Sequence, residues 1–324
     1  MRKARTICLY GDSGEGKSTQ LYFMAKWLWN NFKLKSRLIS YDGKYQQFEA
    51  RQNGEPSLIE QGVVKVFDAL QSPSGEALAD TRRLSEGYWP RKTKGGETYF
   101  RSDEKCLTDW GTAEIGAYLI DDISSLSDIW LSHIVDQQAG FKSAWTYTEG
   151  GYDISGGQDG HYGIVQRELT KTWKGTGKSQ GFHNLPVKYV ITAAKVEKGV
   201  ESYRRKRVKR NDPNAPAEPN ITTLYGPKAA GQALTPFLPG WFCDTLHIGR
   251  IQAKVKGSEE LQEVRVAYYD THLHEQTDVP FLCRVDLLPD HVIKLREKWK
   301  HGFIPLGLDR GLDKFYEFIL GLEG

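Results

Sequence analysis

The sequence predicts an α/β fold in which a mostly parallel central sheet is flanked by helices, and three observations support this prediction. Residues 11–18, GDSGEGKS, match the phosphate-binding loop pattern GxxxxGK[ST] at every position. A short apolar strand, residues 6–10, precedes this loop, and a stretch with apolar residues at helical spacing, residues 19–32, follows it. Further along the chain, apolar strands alternate with helical segments, which is typical of parallel sheets.

The loop at residues 11–18 predicts a nucleotide-binding site. Its glycines let the backbone curl so that successive N–H groups point at phosphate oxygens, Lys17 adds a positive charge, and the Ser18 hydroxyl can ligate Mg²⁺. The helix that follows directs its N-terminus at the anion. We expect ATP and Mg²⁺ as cofactors, bound by Gly11, Asp12, Ser13, Gly14, Glu15, Gly16, Lys17, Ser18 and Thr19. The alternative is a glycine-rich loop with no such role.

Composition excludes several classes of protein. The chain has 324 residues, of which 39% are hydrophobic and 26% charged, which is ordinary for a globular protein. No apolar run approaches the ~20 residues that a membrane helix needs. The basic start leads directly into the first strand, so we expect no signal peptide. The four cysteines form no CxxC pair, which favours reduced thiols and a cytoplasmic location.

The remaining elements were assigned from hydrophobic periodicity and turn residues. Strands are expected at residues 36–41, 63–67, 117–121, 187–193 and 243–248, with hairpin strands at 250–255 and 264–269. Helices are expected at residues 123–138, 161–173 and 290–301, and one more beginning near Lys228. These elements predict a core at residues 1–250 with insertions at 71–116 and 139–160, and a hairpin and helical extension packed on it at residues 251–324.

The strand at residues 117–121, AYLID, ends in an acid. An acid at the carboxyl end of a buried parallel strand lies beside the phosphate loop and can hold Mg²⁺ through its waters. We therefore predict Asp121 and Ser18 as the metal site, and Lys17 and Asp121 as catalytic residues. The alternative is that Asp121 only ends a strand and caps the next helix.

A basic run at residues 204–210 precedes a segment rich in proline and asparagine. The charges cannot be buried unpaired and the prolines interrupt a strand ladder, so residues 199–224 are predicted to form an exposed arm. Such an arm can neutralise the phosphates of a nucleic acid; a solvated charge run or a protein-docking arm is the alternative. The predicted nucleic-acid contacts are Arg204, Arg205, Lys206, Arg207, Lys209 and Arg210.

Two further groups of residues give weaker indications of function. Asp270, His272 and His274 share one face of an extended segment, which is compatible with a metal site but equally with a polar hairpin edge. Aromatic residues in the second glycine-rich stretch can stack on bases of single-stranded nucleic acid, although core packing is the commoner role. These aromatic residues are Trp145, Tyr147 and Tyr152.

Four stretches together carry a family resemblance. They are GDSGEGKST from Gly11, YLIDDISSL from Tyr118, LPVKYVITAAK from Leu185 and YGPKAAGQALTPFLPGWFCDTLHI from Tyr225. In this order they resemble the RecA-like ATPase core, and most closely the phage-encoded ATP-binding proteins proposed to act in single-strand annealing and recombination. The resemblance covers most of the core and neither insertion.

The resemblance implies further site residues. RecA-like enzymes place a glutamate just past the second strand to orient the attacking water. Here that region reads Asp42-Gly43-Lys44, with Glu49 further along, so Asp42 or Glu49 is the expected base. Many relatives end the sensing strand with Gln or His, where this chain has Lys195, which can contact the terminal phosphate or point to solvent. The basic arm and residues 139–160 fall where the family has its DNA-facing loops.

The leading functional prediction is therefore a DNA-dependent ATPase of the recombination or annealing type. It would bind single-stranded DNA and form a homo-oligomeric ring or filament with ATP near a subunit interface. A helicase or helicase-loader motor shares the same core. From other classes, a small-molecule or nucleotide kinase and a nucleotide-binding scaffold with little turnover are the alternatives. A GTPase is disfavoured because the sequence lacks an NKxD motif.

Overall fold

The structure is a computed structural model. It describes residues 4–51, 54–71, 74–92, 98–100, 105–109, 113–139, 146–149, 152–155, 158–177, 180–202, 221–229, 234–254, 260–275, 277–307 and 310–323.

The strands in chain order are β1 (Arg5–Gly11), β2 (Lys35–Ser40), β3 (Val64–Asp68), β4 (Arg91–Lys92), β5 (Thr98–Tyr99), β6 (Thr108–Asp109), β7 (Ala113–Asp121), β8 (Thr146–Glu149), β9 (Tyr152–Ser155), β10 (Tyr189–Ser202), β11 (Ile221–Pro227), β12 (Asp244–Lys254), β13 (Leu261–Tyr268), β14 (His272–Leu273), β15 (Pro280–Phe281) and β16 (Phe303–Pro305). The helices are α1 (Lys17–Phe32), α2 (Gln46–Glu49), α3 (Ser74–Ser85), α4 (Ile123–Ala139), α5 (Gln158–Lys174), α6 (Pro289–Lys298) and α7 (Asp313–Glu323).

The central sheet has the strand order β3-β2-β7-β10-β1-β12-β13-β16. Its first six strands are parallel, and β13 and β16 add an antiparallel edge. The prediction of a mixed α/β fold with a largely parallel sheet is confirmed. Because β1 lies between β10 and β12, the loop that follows it opens at the centre of the sheet's carboxyl edge.

Both faces of the sheet are covered, as the near-continuous apolar strands require. Along β1, Ile7 and Leu9 pack on one face with α1 and α7, whereas Cys8 and Tyr10 pack on the other. The second face is covered by α3, α4 and α5. Alternation of buried residues with period two thus places helices on each side of one sheet.

The strand predicted at residues 187–193 is longer than its apolar run. Residues 189–195 of β10 pair with β1 in parallel, and residues 196–202 pair with β11 antiparallel. The second half carries charged residues and lies beyond the buried centre of the sheet, which is why hydrophobicity alone did not reveal it. Of the arm expected at residues 199–224, residues 199–202 therefore belong to β10 and residues 221–224 to β11, and the two ends pair with each other. The basic run at residues 204–210 lies outside the described residues.

The helix expected near Lys228 is wrong for the residues described. Lys228 and Ala229 are irregular, residues 234–237 form a turn, and Leu238–Trp241 form a short 3₁₀ helix. Pro236 and Pro239 explain the difference, since proline removes a backbone donor and interrupts an α-helix.

The stretch expected to be one insertion at residues 71–116 is partly core. Helix α3 packs its apolar side chains, Ala77, Leu78 and Leu84, into the same cluster as α4 and α5. The end of the stretch 71–116 belongs to the central sheet, because β6 pairs with β7. The stretch at 139–160 contains the hairpin β8–β9 and the start of α5.

The boundary expected at residue 250 falls inside β12, so the C-terminal residues continue the core sheet. Arg5 of β1 donates to the buried carboxylate of Asp244 at 2.7 and 2.9 Å, and the Tyr316 hydroxyl of α7 donates to it at 3.1 Å. A buried carboxylate that accepts hydrogen bonds from both elements ties the first strand to the last helix. Among the helices that the structure describes, none is long and apolar enough to cross a bilayer.

Candidate functional site

The loop after β1 has the backbone that its glycines predict. Gly14 and Gly16 have φ angles of 87° and 91°, a left-handed region that other residues adopt only with strain. At Gly11 the limit is space, since an added Cβ would lie 2.3 Å from the carbonyl oxygen of Ile248 in β12. The loop therefore turns sharply from the sheet into α1, which begins at Lys17.

Lys17 is buried at the centre of this loop, with 8% of its surface exposed. Its ammonium donates to the carbonyl oxygens of Gly11 and Asp12 at 2.9 and 2.7 Å. Burial lowers the pKa of Lys17, and the charges of Asp122 and Asp121 oppose that shift. The lysine thus brings a positive charge into a confined, partly desolvated space, where its interaction with an anion is stronger than in water.

Asp121 ends β7 beside the loop, with only 3% of its surface exposed. The Ser18 side chain lies beside its carboxylate and acts to lower its pKa, while the Oδ2 atom of Asp121 is buried without a hydrogen-bond partner among the described residues. Burial raises the pKa of Asp121 to about 7, and the charges of Asp42 and Asp122 act in the same direction. A buried carboxylate with a free oxygen is suited to a cation.

Asp122, and not Asp121, caps the following helix. Its Oδ1 accepts the backbone N–H of Ser125 at 2.5 Å, the usual contact from the residue before a helix to its third position. Burial raises the pKa of Asp122, and this bond and the charge of Lys195 oppose the shift. The capping role that was the alternative for Asp121 is therefore filled by its neighbour.

The two candidates for the base differ in position. Asp42 follows β2, whose last residue, Ser40, is paired in register with Asp121. Its charge acts on the pKa of both Asp121 and Asp122. Glu49 lies exposed at the end of α2, where its charge acts on Tyr45. The structure therefore brings Asp42 to the acidic centre and leaves Glu49 at the surface.

Lys195 also lies at this edge of the sheet. It pairs in register with Gly11, the first residue of the loop, and its backbone N–H donates to the Ser124 hydroxyl at 2.9 Å. Its charge opposes the raised pKa of Asp122. The carboxyl ends of four parallel strands, β1, β2, β7 and β10, thus bring the predicted site residues of the described ranges together, except Glu49.

Two arginines at the loop were missed by the sequence analysis. Arg250 of β12 and Arg265 of β13 are cross-strand partners, and one nitrogen of each lies 3.5 Å from the Gly14 carbonyl oxygen. Arg250 also pairs with Glu15 of the loop at 2.8 Å. No local pattern marks these residues, because their position depends on β12 lying beside β1.

The other constellations do not form a metal centre. Asp270 is paired with Arg296 at 3.1 Å, and His272 contacts His247 ring to ring. Within the described ranges, no group of three or more His, Cys, Asp or Glu side chains can hold a metal ion.

The aromatic residues considered for stacking on bases are only partly described. Trp145 lies outside the described ranges, whereas Tyr147 and Tyr152 belong to the hairpin β8–β9.

The residues present fit a hydrated magnesium ion bound together with phosphate. Ser18 and Asp121 offer two oxygen ligands, and Mg²⁺ prefers oxygen donors and keeps several waters beside one or two protein groups. The partnerless Oδ2 atom of Asp121 is the observation that favours this assignment, since it leaves a buried acceptor to be satisfied.

Comparisons with known proteins add little. No protein-family model matches the sequence, and no curated protein matches it. Among solved structures, the flagellar accessory protein FlaH from Methanocaldococcus jannaschii is similar, with a TM-score of 0.33 and 9% sequence identity, over 83% of this chain and 78% of that chain. A similarity of that size carries no conclusion about function. The strand pairing itself shows a mixed α/β protein with a largely parallel central sheet.

Proposed function

We propose that this chain binds ATP with Mg²⁺ at residues 11–18 and hydrolyses it. The observation that carries the proposal is the buried Asp121 carboxylate, which lies beside Ser18 and keeps its Oδ2 atom without a hydrogen-bond partner among the described residues. A neighbouring divalent cation would favour its ionised form and satisfy that oxygen.

Phosphate binding is supported by the loop itself. Lys17 supplies a buried ammonium, and α1 directs its N-terminus toward the space above the loop. With left-handed glycines at positions 14 and 16, successive backbone N–H groups can line one anion. Bound Mg²⁺ would neutralise charge that develops on the phosphates, and the chain's part is to hold and orient them.

Hydrolysis needs a group that orients water, and we propose Asp42 for this role. Asp42 follows β2, whose last residue is in register with Asp121, and its charge acts on Asp121, so it lies at the same end of the sheet as the proposed metal site. A carboxylate there is a candidate to accept a proton from the attacking water. Lys195, in register with Gly11, is the proposed contact for the terminal phosphate. A cation there favours the transition state if negative charge grows on the transferred group.

We further propose that hydrolysis depends on single-stranded DNA, within a homo-oligomer of the recombination or annealing type. Support comes from the sequence resemblance and from the basic run at residues 204–210. That run follows β10 directly, and β10 carries Lys195 at the site. A strand shared by both would couple the position of the basic run to the phosphate contact.

The test measures ATP binding and release of phosphate, with and without Mg²⁺ and single-stranded DNA, for the native chain and Lys17→Ala. Lys17→Ala should lose ATP binding while keeping the circular dichroism spectrum of the folded chain, since the hydrogen bonds of its ammonium go to loop carbonyls. Lys26→Ala, further along the same helix, is the matched control and should bind normally. Native binding by Lys17→Ala would refute the site; binding without turnover would indicate a scaffold.

A further inference from the structure

The hairpin β12–β13 adds two cations to the phosphate-binding loop from outside the motif. Arg250 and Arg265 stand opposite each other in the hairpin register, and both reach the Gly14 carbonyl oxygen at 3.5 Å. Despite this symmetric position, the two guanidinium groups have different surroundings.

Arg250 is already engaged by carboxylates. It pairs with Glu15 of the loop at 2.8 Å and with Glu263 of β13 at 2.6 Å. These hydrogen bonds and charges raise the pKa of Arg250 above its ordinary value. Its positive charge is therefore neutralised locally, and the residue ties the loop to the hairpin.

Arg265 has no carboxylate within ion-pair distance among the described residues. Its guanidinium lies against the loop, since a Cβ added to Gly16 would come within 3.5 Å of its Nη1 atom and 3.6 Å of its Cδ. The side chain is exposed, so the guanidinium keeps donors available on the solvent side of the loop. A planar, permanently charged group with several donors suits phosphate oxygens.

The site is acidic, so a further cation would reduce its negative charge. The charges of four carboxylates, Asp12, Glu15, Asp121 and Asp122, act on Lys17. A nucleotide triphosphate adds further negative charge to this acidic environment. Lys17 and one Mg²⁺ leave part of that charge uncompensated, and a second cation at the loop would reduce the remaining repulsion.

We infer that Arg265 is a second phosphate-binding cation of the loop, supplied by the same chain through the β12–β13 hairpin. The inference rests on the proposed function, because it names a contact to the nucleotide that residues 11–18 would bind. Arg265 adds a guanidinium to the backbone donors and ammonium of the motif, and the register of the hairpin holds it above Gly16.

The experiment compares equilibrium binding of ATP and of inorganic triphosphate to the native chain, Arg265→Ala, Arg265→Lys and Lys254→Ala. Lys254 is an exposed cation further along β12, so its removal changes the net charge equally without touching the loop. Circular dichroism melting of each variant establishes that it is folded.

Arg265→Ala should weaken both ligands about tenfold, which is the effect of losing one charge-assisted contact of about 1.4 kcal/mol. Arg265→Lys should recover part of the loss, and Lys254→Ala should bind like the native chain. If Arg265→Ala binds both ligands as Lys254→Ala does, or weakens ATP alone, the phosphate contact is refuted. Failure of the native chain to bind either ligand would instead refute the proposed function.

Discussion

The side chain of Ser18, in the first turn of α1, lies beside the carboxylate of Asp121 at the end of β7 and acts to lower its pKa. Burial raises the pKa of that carboxyl group to about 7, so about half of the molecules carry it protonated at neutral pH. Because the same group is the proposed metal ligand, its removal should affect stability and activity in opposite directions.

Asp121→Asn should therefore make the metal-free protein more stable at about pH 8. The folded-state pKa is raised, so the stability that the neutral carboxyl contributes is complete below about pH 4 and is lost as the pH rises through about 7. The amide stays neutral and should keep on the order of 4 kcal/mol of that stability, since burial raises the pKa by about 3 and each pKa unit corresponds to about 1.4 kcal/mol. Urea unfolding measures this, and a less stable variant would contradict it.

The same variant should lose Mg²⁺-dependent hydrolysis by about 10²-fold or more, because an amide is a poorer magnesium ligand than a carboxylate. Phosphate release at saturating ATP measures the effect. Asp122→Asn serves as the comparison, because Asp122 caps α4 through Ser125. If hydrolysis survives in folded Asp121→Asn, the residue only ends a strand.

Asp42→Asn should slow hydrolysis by about 10²-fold while ATP still binds, as expected when a general base is removed. Glu49→Gln is the matched control, and it should retain the native rate because Glu49 lies at the exposed end of α2. Single-turnover hydrolysis with pre-bound ATP separates chemistry from binding. The reverse result, with Glu49→Gln slow and Asp42→Asn normal, would move the base to α2.

Replacing Arg204, Arg205, Arg207 and Arg210 together should weaken binding of single-stranded DNA and flatten its dependence on salt. Each neutralised phosphate contributes about −0.7 to the log–log slope on single strands. ATP binding without DNA should change little, since none of these residues belongs to the loop. Filter binding over a salt series measures the slope; a native slope in the quadruple variant would separate this run from DNA binding.

The buried imidazole of His183 should make the protein less stable in mild acid. Burial lowers the pKa of His183 to about 4, with a smaller contribution from the charge of Lys174. As the pH falls below about 6.5, His183 binds a proton in the unfolded chain but stays neutral in the folded chain. The free energy of unfolding therefore decreases until the pH reaches about 4.

Between about pH 8 and about pH 5, His183→Gln should lose less stability than the native chain, by about 2 kcal/mol. Urea unfolding at the two pH values measures the difference, and equal losses would contradict the assignment. His247 and His272 also have lowered pKa values and are present in both proteins, so the comparison isolates His183.

Much of the core could be predicted because its elements depend on residues that are close in the sequence. The strand before the loop, the left-handed glycines and the start of α1 follow from residues adjacent in the chain. Likewise, the apolar run that ends at Asp121 predicted a buried strand with an acid at its end. Helices α4 and α5 also lie near their predicted positions, since their apolar residues recur at helical spacing.

The errors have equally definite causes. The prediction of a helix near Lys228 did not take Pro236 and Pro239 into account. Proline lacks a backbone donor, which favours the turn and 3₁₀ helix that the structure has instead. The second half of β10 escaped notice because it pairs at the margin of the sheet and carries charged residues. Periodicity reports burial, and elements with little burial leave little periodicity.

The sequence by itself determined the glycine-rich turn at residues 11–18, the strand and helix on either side of it, and the acid at the end of β7, because each depends on neighbours in the chain. Only the tertiary structure decided that Asp122 rather than Asp121 caps α4, and that Asp42 rather than Glu49 lies near Asp121. It also brought Arg250 and Arg265 to Gly14. These relations depend on which strands lie side by side, and strand order is set by the packing of the whole sheet.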